Sequence, residues 1–244
     1  MTLHAAILAG GRVDGEFARR LGTPVKALAR ICGITLLERA IAAARSAGAQ
    51  RIAVVGGEEV RAACGHLVER LIDETQDGTE NVHRAIFSWP DVPLLLASSD
   101  LPFARGEHIR EFLKMAPADA VGMPLVSAAA YARAFPGSPS HATSLFGERI
   151  VNGSVFYLPP NSAPRIDAFA QKFFRARKSR ARMALLLGPQ LILRFALQRL
   201  AVEDLERQAE RMLGLPAKAV RGSSPALCYD IDSAADYEYA LARN

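Results

Sequence analysis

The chain is poor in cysteine. Its 244 residues hold three, Cys32, Cys64 and Cys228, far apart and without a CxxC pair. That argues against a disulfide framework and against a thiolate zinc site. It has no long apolar run fit to span a bilayer. The longest apolar stretch, residues 183–201, is interrupted by Arg194, Arg199 and the Gly188-Pro189 break, and so argues against a spanning helix. No basic region precedes the first apolar run, so we expect no secretory signal and a reducing, cytoplasmic setting. Two nucleotide-binding signatures are missing: GxGxxG, which disfavours a dinucleotide fold, and GxxxxGK[ST], which excludes a P-loop. No GxSxG element supports a serine hydrolase, and His83, His108 and His141 lack metal-type spacing. No basic motif interleaved with aromatics is present, so we expect no nucleic acid partner. Internal repeats and low-complexity segments are absent as well.

What is present is a globular composition, half hydrophobic and 23% charged. The formal net charge of +5 and a pI near 9.4 suit an anionic substrate. Apolar runs at 4–9, 51–57, 70–73, 93–100 and 119–125 read as strands. Between them, 35–47, 58–70, 80–88 and 107–115 read as helices. Thr35 and Glu38 have capping-box spacing ahead of the stripe Leu36, Leu37, Ala40, Ile41 and Ala44. Such β-α alternation predicts a parallel sheet with helices on both faces. After residue 126 the rhythm changes. Residues 127–140 read as a loop, and 149–158 as a strand or strand pair interrupted by Asn152-Gly153. Residues 161–175 and 180–212 read as helix broken near Gly188-Pro189. The end, from Ala226, reads as a strand, an acidic turn and a final helix capped by Ser233 and Asp236.

Several positions bear chemistry. Gly10 and Gly11 close the first strand, where ligands sit in open α/β sheets and where glycine lets backbone N–H groups approach phosphate; a tight turn needing two glycines is the alternative. Lys26, on a stretch held extended by Pro24, suits phosphate neutralisation or a solvated surface. Asp100 ends an apolar strand, where a carboxylate suits magnesium or caps a turn. Asp230 and Asp232 alternate and would share one strand face, completing a metal site with Asp100 or beginning an acidic helix. Asn152-Gly153 presents amide groups to an acceptor or makes a hairpin turn. Residues 168–202 hold no acid but many bases, Lys178 among them. They read as a solvated face, as an anionic acceptor's contact, or as a peripheral membrane contact.

The order of "AAILAGG", "KAL", "GITLLERAIAAARSAGAQRIAVVGG", "LLLASSDLPF", "VNGSVFYL" and "DIDSAADY" resembles the MobA-like NTP transferase family. The resemblance implies a glycosyltransferase-A-like (Rossmann-like) α/β three-layer sandwich with a mostly parallel mixed sheet. It implies a single domain, with residues 1–126 forming the nucleotide half and 127–244 the acceptor half. It also implies transfer of NMP from an NTP to a phosphorylated small-molecule acceptor, with magnesium as cofactor and pyrophosphate released. By motif, Leu8, Ala9, Gly10, Gly11 and Lys26 contact the nucleotide, and Gly78 and Thr79 read its base. Asp100 and Asp232 hold the metal and act with Lys26 in catalysis. Asn152, Gly153 and the basic residue Lys178 fall on the acceptor side. One departure stands out: after LAGG the family reads x-G-[ST]-R-M-G, whereas this chain has Arg12, Val13, Asp14, Gly15 and Glu16. Arg12, Arg19 and Arg20 are the candidate replacement cations. The departure leaves two further readings: a non-catalytic nucleotide-binding protein of the same fold, and a membrane-surface enzyme with a lipid-linked phosphate acceptor.

Overall fold

The computed structural model describes residues 2–139, 142–177 and 179–243, the side chains at 177, 180 and 181 excepted. Lys178 and His141 lie outside the described residues.

The first half alternates as expected. Its elements are β1 (Leu3–Leu8), α1 (Gly15–Leu21), β2 (Arg30–Ile31), β3 (Ile34–Thr35), α2 (Leu36–Ser46), β4 (Ala49–Gly56), α3 (Glu58–Cys64), β5 (Arg70–Asp73), α4 (Gly78–Ile86), β6 (Leu94–Ser98) and α5 (Gly106–Met115). The second half comprises β7 (Val121–Ser127), α6 (Ala128–Ala134), β8 (Thr143–Leu145), β9 (Glu148–Asn152), β10 (Val155–Leu158), α7 (Ala163–Arg177), α8 (Arg180–Leu187), α9 (Pro189–Ala196), α10 (Val202–Leu213), β11 (Ala217–Arg221) and α11 (Ala234–Arg243).

The main sheet runs β5-β4-β1-β6-β10-β7-β9-β8, with β11 also on β7. The β5-β4-β1-β6 block is parallel, as is the β7–β11 pair, whereas β10 is antiparallel to β6 and β7 and β9 to β7 and β8. The fold is thus an α/β sandwich of the glycosyltransferase-A-like kind, with a mostly parallel mixed sheet.

Two-residue periodicity sorts the strands between the helical layers. Ala5, Ile7, Ile52, Val54, Leu95 and Ala97 pack with Leu37 and Ile41 of α2 and Ile109 and Phe112 of α5. Their alternates Ala6, Ala53, Val55, Leu94 and Leu96 pack with Ala85 and Ile86 of α4 and Ile166 of α7. A third cluster, rich in tyrosine, joins Tyr131 of α6 and Phe135 just beyond it to Tyr229 and Tyr237 near the C-terminus.

Four local expectations change. Residues 127–140 are not all loop: Ser127 accepts a hydrogen bond from the Ala130 N–H and starts α6, whose alanine-rich run favours helix until the turn beyond Phe135. The helix expected over 58–70 ends at Cys64, before Gly65. The strand expected from Ala226 is a short 3-10 turn, Pro225–Leu227, followed by irregular backbone; the strand lies earlier, in β11. The Asn152-Gly153 pair is no hairpin turn. Leu125 pairs with both Asn152 and Arg221, and Gly122 with both Tyr157 and Lys218, so β9 and β10 follow one side of β7 and β11 the other. Between these pairs β7 advances from 122 to 125 while its neighbour runs from 157 back to 152. The two surplus residues, Gly153 and Ser154, form a bulge in one continuous strand.

The capping box of α2 is present. Thr35 Oγ1 accepts from the Glu38 N–H at 3.1 Å, and the Glu38 carboxylate accepts from the Thr35 N–H at 2.7 Å. These bonds from Thr35 hold the Glu38 carboxyl below its ordinary pKa. Thr35→Ala is expected to cost about 1 kcal/mol, read by equilibrium urea unfolding at pH 7. A depressed carboxyl stabilises the fold above its unfolded pKa, so the deficit of the variant should shrink as acid protonates Glu38.

Candidate active site

Register brings four strand ends to one edge of the sheet. Leu8 pairs with Val55 on one side and Ser98 on the other, and Gly56 pairs with Asp73. Two residues beyond Leu8, Val55 and Ser98 lie Gly10, Gly57 and Asp100, and Glu74 lies next to Asp73. The row Glu74, Gly57, Gly10, Asp100 therefore runs along the carboxyl edge, where open α/β sheets bind ligands.

A side chain at either glycine would displace the Glu74 carboxylate. A Cβ on Gly10 would fall 1.9 Å from Glu74 Oε2, and one on Gly57 2.7 Å from Glu74 Oε1. The Glu74 carboxylate thus lies against both turns, 14% exposed and 3.0 Å from Arg12 Nη2. Gly11 O accepts from the Lys26 N–H at 2.9 Å, and Ala9 N–H donates to Val55 O at 2.8 Å. Leu8 O accepts from the Ser99 N–H. The amides of Gly10 and Gly11 have no protein acceptor among the described residues.

Lys26 is no solvated lysine. Its Nζ lies 2.5 Å from Asp100 Oδ2 and 3.3 Å from Asp232 Oδ1, and it donates to Ile231 O at 2.9 Å. Burial works against this ammonium, but the attraction of Asp100 and then Asp232 outweighs it and raises its pKa. Ser98 Oγ donates to Asp100 Oδ1, and the Ile231 N–H donates to Asp100 O at 3.1 Å. Asp100 is thereby fixed from its own strand and from the C-terminal loop.

That loop is not a strand, so alternation does not place its acids on one face. Asp232 turns to Lys26 with its side chain 59% exposed. Asp230 accepts from Ser154 Oγ at 3.0 Å, and its carboxyl is pushed above its ordinary pKa by burial and then by Asp100 and Asp232. Two carboxylates therefore share one ammonium, and Asp230 lies close enough to both to feel their charge. The loop is anchored by Tyr229, whose ring meets Phe103 and Phe135 at 4.9 Å and whose hydroxyl donates to Asp236 O. Ser233 and Asp236 cap α11 as expected: the Ser233 N–H donates to the Asp236 carboxylate at 2.8 Å, and the Asp236 N–H donates to Ser233 Oγ at 3.3 Å.

The remaining sites fall elsewhere. Gly78 and Thr79 begin α4; the Thr79 N–H donates to Asp77 Oδ1, and Gly78 faces the Phe174 ring. The Gly153 amide is spent on Pro124 O, and a Cβ there would meet Leu227 O at 2.6 Å, so Gly153 permits close packing and offers no amide to an acceptor. Asn152 is exposed and lines a cavity between the sheet, α7 and α10. The altered segment 12–16 forms a bridge from Arg12 to Val25 and then opens α1. Its Glu16 pairs with Arg20 on the helix. Arg12 is gripped by Glu59 and Glu74, which raise its pKa. Sequence reasoning missed Glu74, Ser98 and Ser154. Glu74 carried the signal used for Asp100, an acid just beyond a strand end.

The MobA-like NTP transferase domain matches residues 5–185, and the chain belongs to that family, one of nucleotidyltransferases. A hypothetical transferase from Thermus thermophilus superposes with a TM-score of 0.85 at 26% identity, over 97% of this chain and 99% of that one. A nucleotidyl transferase from Methanothermobacter thermautotrophicus gives 0.59 at 18% identity, over 100% and 99%. The CTP:phosphocholine cytidylyltransferase of Streptococcus pneumoniae gives 0.57 at 14%, over 99% of each. The last two likenesses bear on the fold alone. No curated protein sequence matches the chain. No helix among the described residues is long and apolar enough to cross a membrane.

The crowding of Asp230 has a thermodynamic consequence. A carboxyl whose folded pKa is raised costs stability once ionised, and the cost disappears as pH falls through the folded pKa to the unfolded one. Asp230→Asn keeps an acceptor for Ser154 and removes the charge. It is expected to raise Tm at pH 7 by a few degrees, on the order of 1 kcal/mol. Calorimetry at pH 7 and pH 3.5 should show the gain shrinking in acid.

Proposed function

We propose that this MobA-like NTP transferase moves a nucleoside monophosphate from an NTP to a phosphorylated small-molecule acceptor, releasing pyrophosphate. The observation that carries the reading is the convergence of Lys26, Asp100 and Asp232 beside the free amides of Gly10 and Gly11. Residues 1–126 would serve as the nucleotide half and 127–244 as the acceptor half.

Magnesium fits this donor set. Hard carboxylate oxygens suit it, and it usually takes one or two of them together with substrate phosphates. Asp100 and Asp232 already converge on a cation, the Lys26 ammonium, and Asp230 adds negative charge that a divalent ion would offset. No ready-made cluster of three or more ligating side chains stands among the described residues, so the phosphates would supply the remaining ligands. Asp100 and Asp232 would hold the ion, which when bound neutralises phosphate charge and orients the leaving group.

The chain's own groups account for the rest. Leu8, Ala9, Gly10 and Gly11 would form the floor under the triphosphate, its oxygens accepting from the two glycine amides. Lys26 would turn from its carboxylates to the phosphates and stabilise charge as the bond to pyrophosphate breaks. The attacking atom is an acceptor phosphate oxygen in line with the α-phosphorus. It is already ionised at neutral pH, so no side chain need act as base. Gly78 and Thr79, with Glu74 beside Gly10, would face the base. Asn152 and Lys178 would serve the acceptor.

One observation favours a second reading, nucleotide binding without turnover. Arg12, nearest to the place of the family's loop arginine, is held by Glu59 and Glu74 rather than free to meet phosphate.

A pyrophosphate-release assay with magnesium, the four NTPs and a panel of phosphorylated acceptors decides between them. Asp100→Asn is expected to lower turnover at least about 100-fold with the fold intact by circular dichroism. Retained turnover in that variant overturns the transferase assignment of the site. Tight NTP binding with no pyrophosphate from any acceptor establishes the second reading.

A further inference from the structure

A cavity of about 440 Å³ lies between the sheet and the helices α7 and α10. Met123, Leu125, Phe156, Phe169, Leu205 and Leu213 are among its walls, and all but four of its lining residues are apolar. Protein interiors leave few voids larger than a water molecule, because an unfilled apolar wall forfeits its dispersion contacts. A space this size falls within the range of pockets that take organic ligands. Two of the four polar residues are used up against each other: Lys218 Nζ lies 3.3 Å from Glu206 Oε2, while Glu206 Oε1 accepts from the Ala219 N–H. The others, Thr143 and Asn152, are exposed and mark where the cavity meets solvent.

Asn152 links this space to the candidate transfer site along the backbone. It ends β9, and the bulge Gly153-Ser154 follows directly. Ser154 Oγ donates to Asp230, whose carboxylate interacts with Asp100 and Asp232. One short piece of strand thus has an apolar cavity at one end and the acidic group at the other.

We propose that the cavity holds the hydrocarbon part of an amphiphilic acceptor, an alkyl or isoprenoid phosphate whose head group lies at the acidic site. The inference rests on the transferase reading and adds the chemical class of the acceptor. The acceptor phosphate oxygen bonds to the α-phosphorus of the NTP, the bond from that phosphorus to the bridging oxygen of pyrophosphate breaks, and pyrophosphate leaves with the electron pair.

The test compares ethyl phosphate with dodecyl phosphate. Binding is measured by calorimetry below the micellar concentration, and pyrophosphate release is measured with magnesium and the four NTPs. Dodecyl phosphate, dispersed or carried in phosphatidylcholine vesicles, is expected to bind at least ~100-fold more tightly than ethyl phosphate, since each buried methylene adds affinity. The arm with the greater transfer identifies a free amphiphile or a bilayer lipid as the source. Ala209→Phe and Ala219→Phe each fill the cavity from a different wall. Either, if folded, should lower dodecyl phosphate affinity at least tenfold while NTP affinity holds. Equal binding of the two phosphates, or undiminished dodecyl phosphate affinity in both folded variants, overturns the proposal. Dodecyl phosphate binding without pyrophosphate from any pair supports the cavity and overturns the transferase reading. Transfer to ethyl phosphate that does not respond to chain length does the reverse.

Discussion

The Lys26 ammonium is the contact on which the site depends. Asp100 is nearly buried, and ionised carboxylates in that position need a partner. Lys26 supplies it, and at the same time ties the segment after the glycine pair to the C-terminal loop through Asp232 and Ile231 O. Segments more than two hundred residues apart in sequence are thereby held across one charged group. The balance is incomplete, because Asp230 stands near as a third acid with its pKa raised.

The sheet prepares this group by register. Parallel pairing aligns Leu8, Val55 and Ser98, so whatever follows each by two residues arrives at the same edge. Glycine at two of these positions gives Glu74 room to approach, and aspartate at the third meets Lys26. The aromatic cluster around Tyr229 serves the other side, holding irregular backbone that has no ladder of its own. Tyr229 is 1% exposed, and its ring contacts span α6, Phe103 and α11. The acids at 230 and 232 are therefore placed by packing, not by strand alternation.

This difference explains what the sequence could and could not reveal. The strands β1, β4, β5 and β6 were legible because each is an apolar run bounded by glycine, proline or an acid, and Thr35 and Glu38 announce α2. Gly10, Lys26, Asp100 and Asp232 were legible as an ordered set. Their mutual distances were not, since Lys26 is drawn inward by Asp100 from seventy-four positions away, a pairing no local pattern encodes. The stretch 127–140 misled because proline, glycine and serine at its end outweighed the alanines and the Ser127 cap at its start. The last strand misled because "ALCY" has strand-like residues, yet Pro225 opens a 3-10 turn and the tyrosine packs into a cluster.

The bulge at Gly153-Ser154 shows how one irregularity can serve two purposes. A strand without it would keep strict alternation from Asn152 to Val155, and its side chains would take the two faces in turn. The two surplus residues break that pattern beside β7. Gly153 is the residue that fits, because its missing side chain leaves space for Leu227 O and the Pro124 ring. Ser154 then bonds to Asp230, and its carbonyl accepts from the Ser98 N–H at 3.0 Å, next to the strand end that bears Asp100. The acidic site and the wall of the apolar cavity are thus consecutive parts of one backbone path. On the proposed reading, a ligand with a charged head and an apolar body would place one part at each. A compact hydrophilic acceptor would use only the first, and would leave the apolar walls of the cavity without a partner.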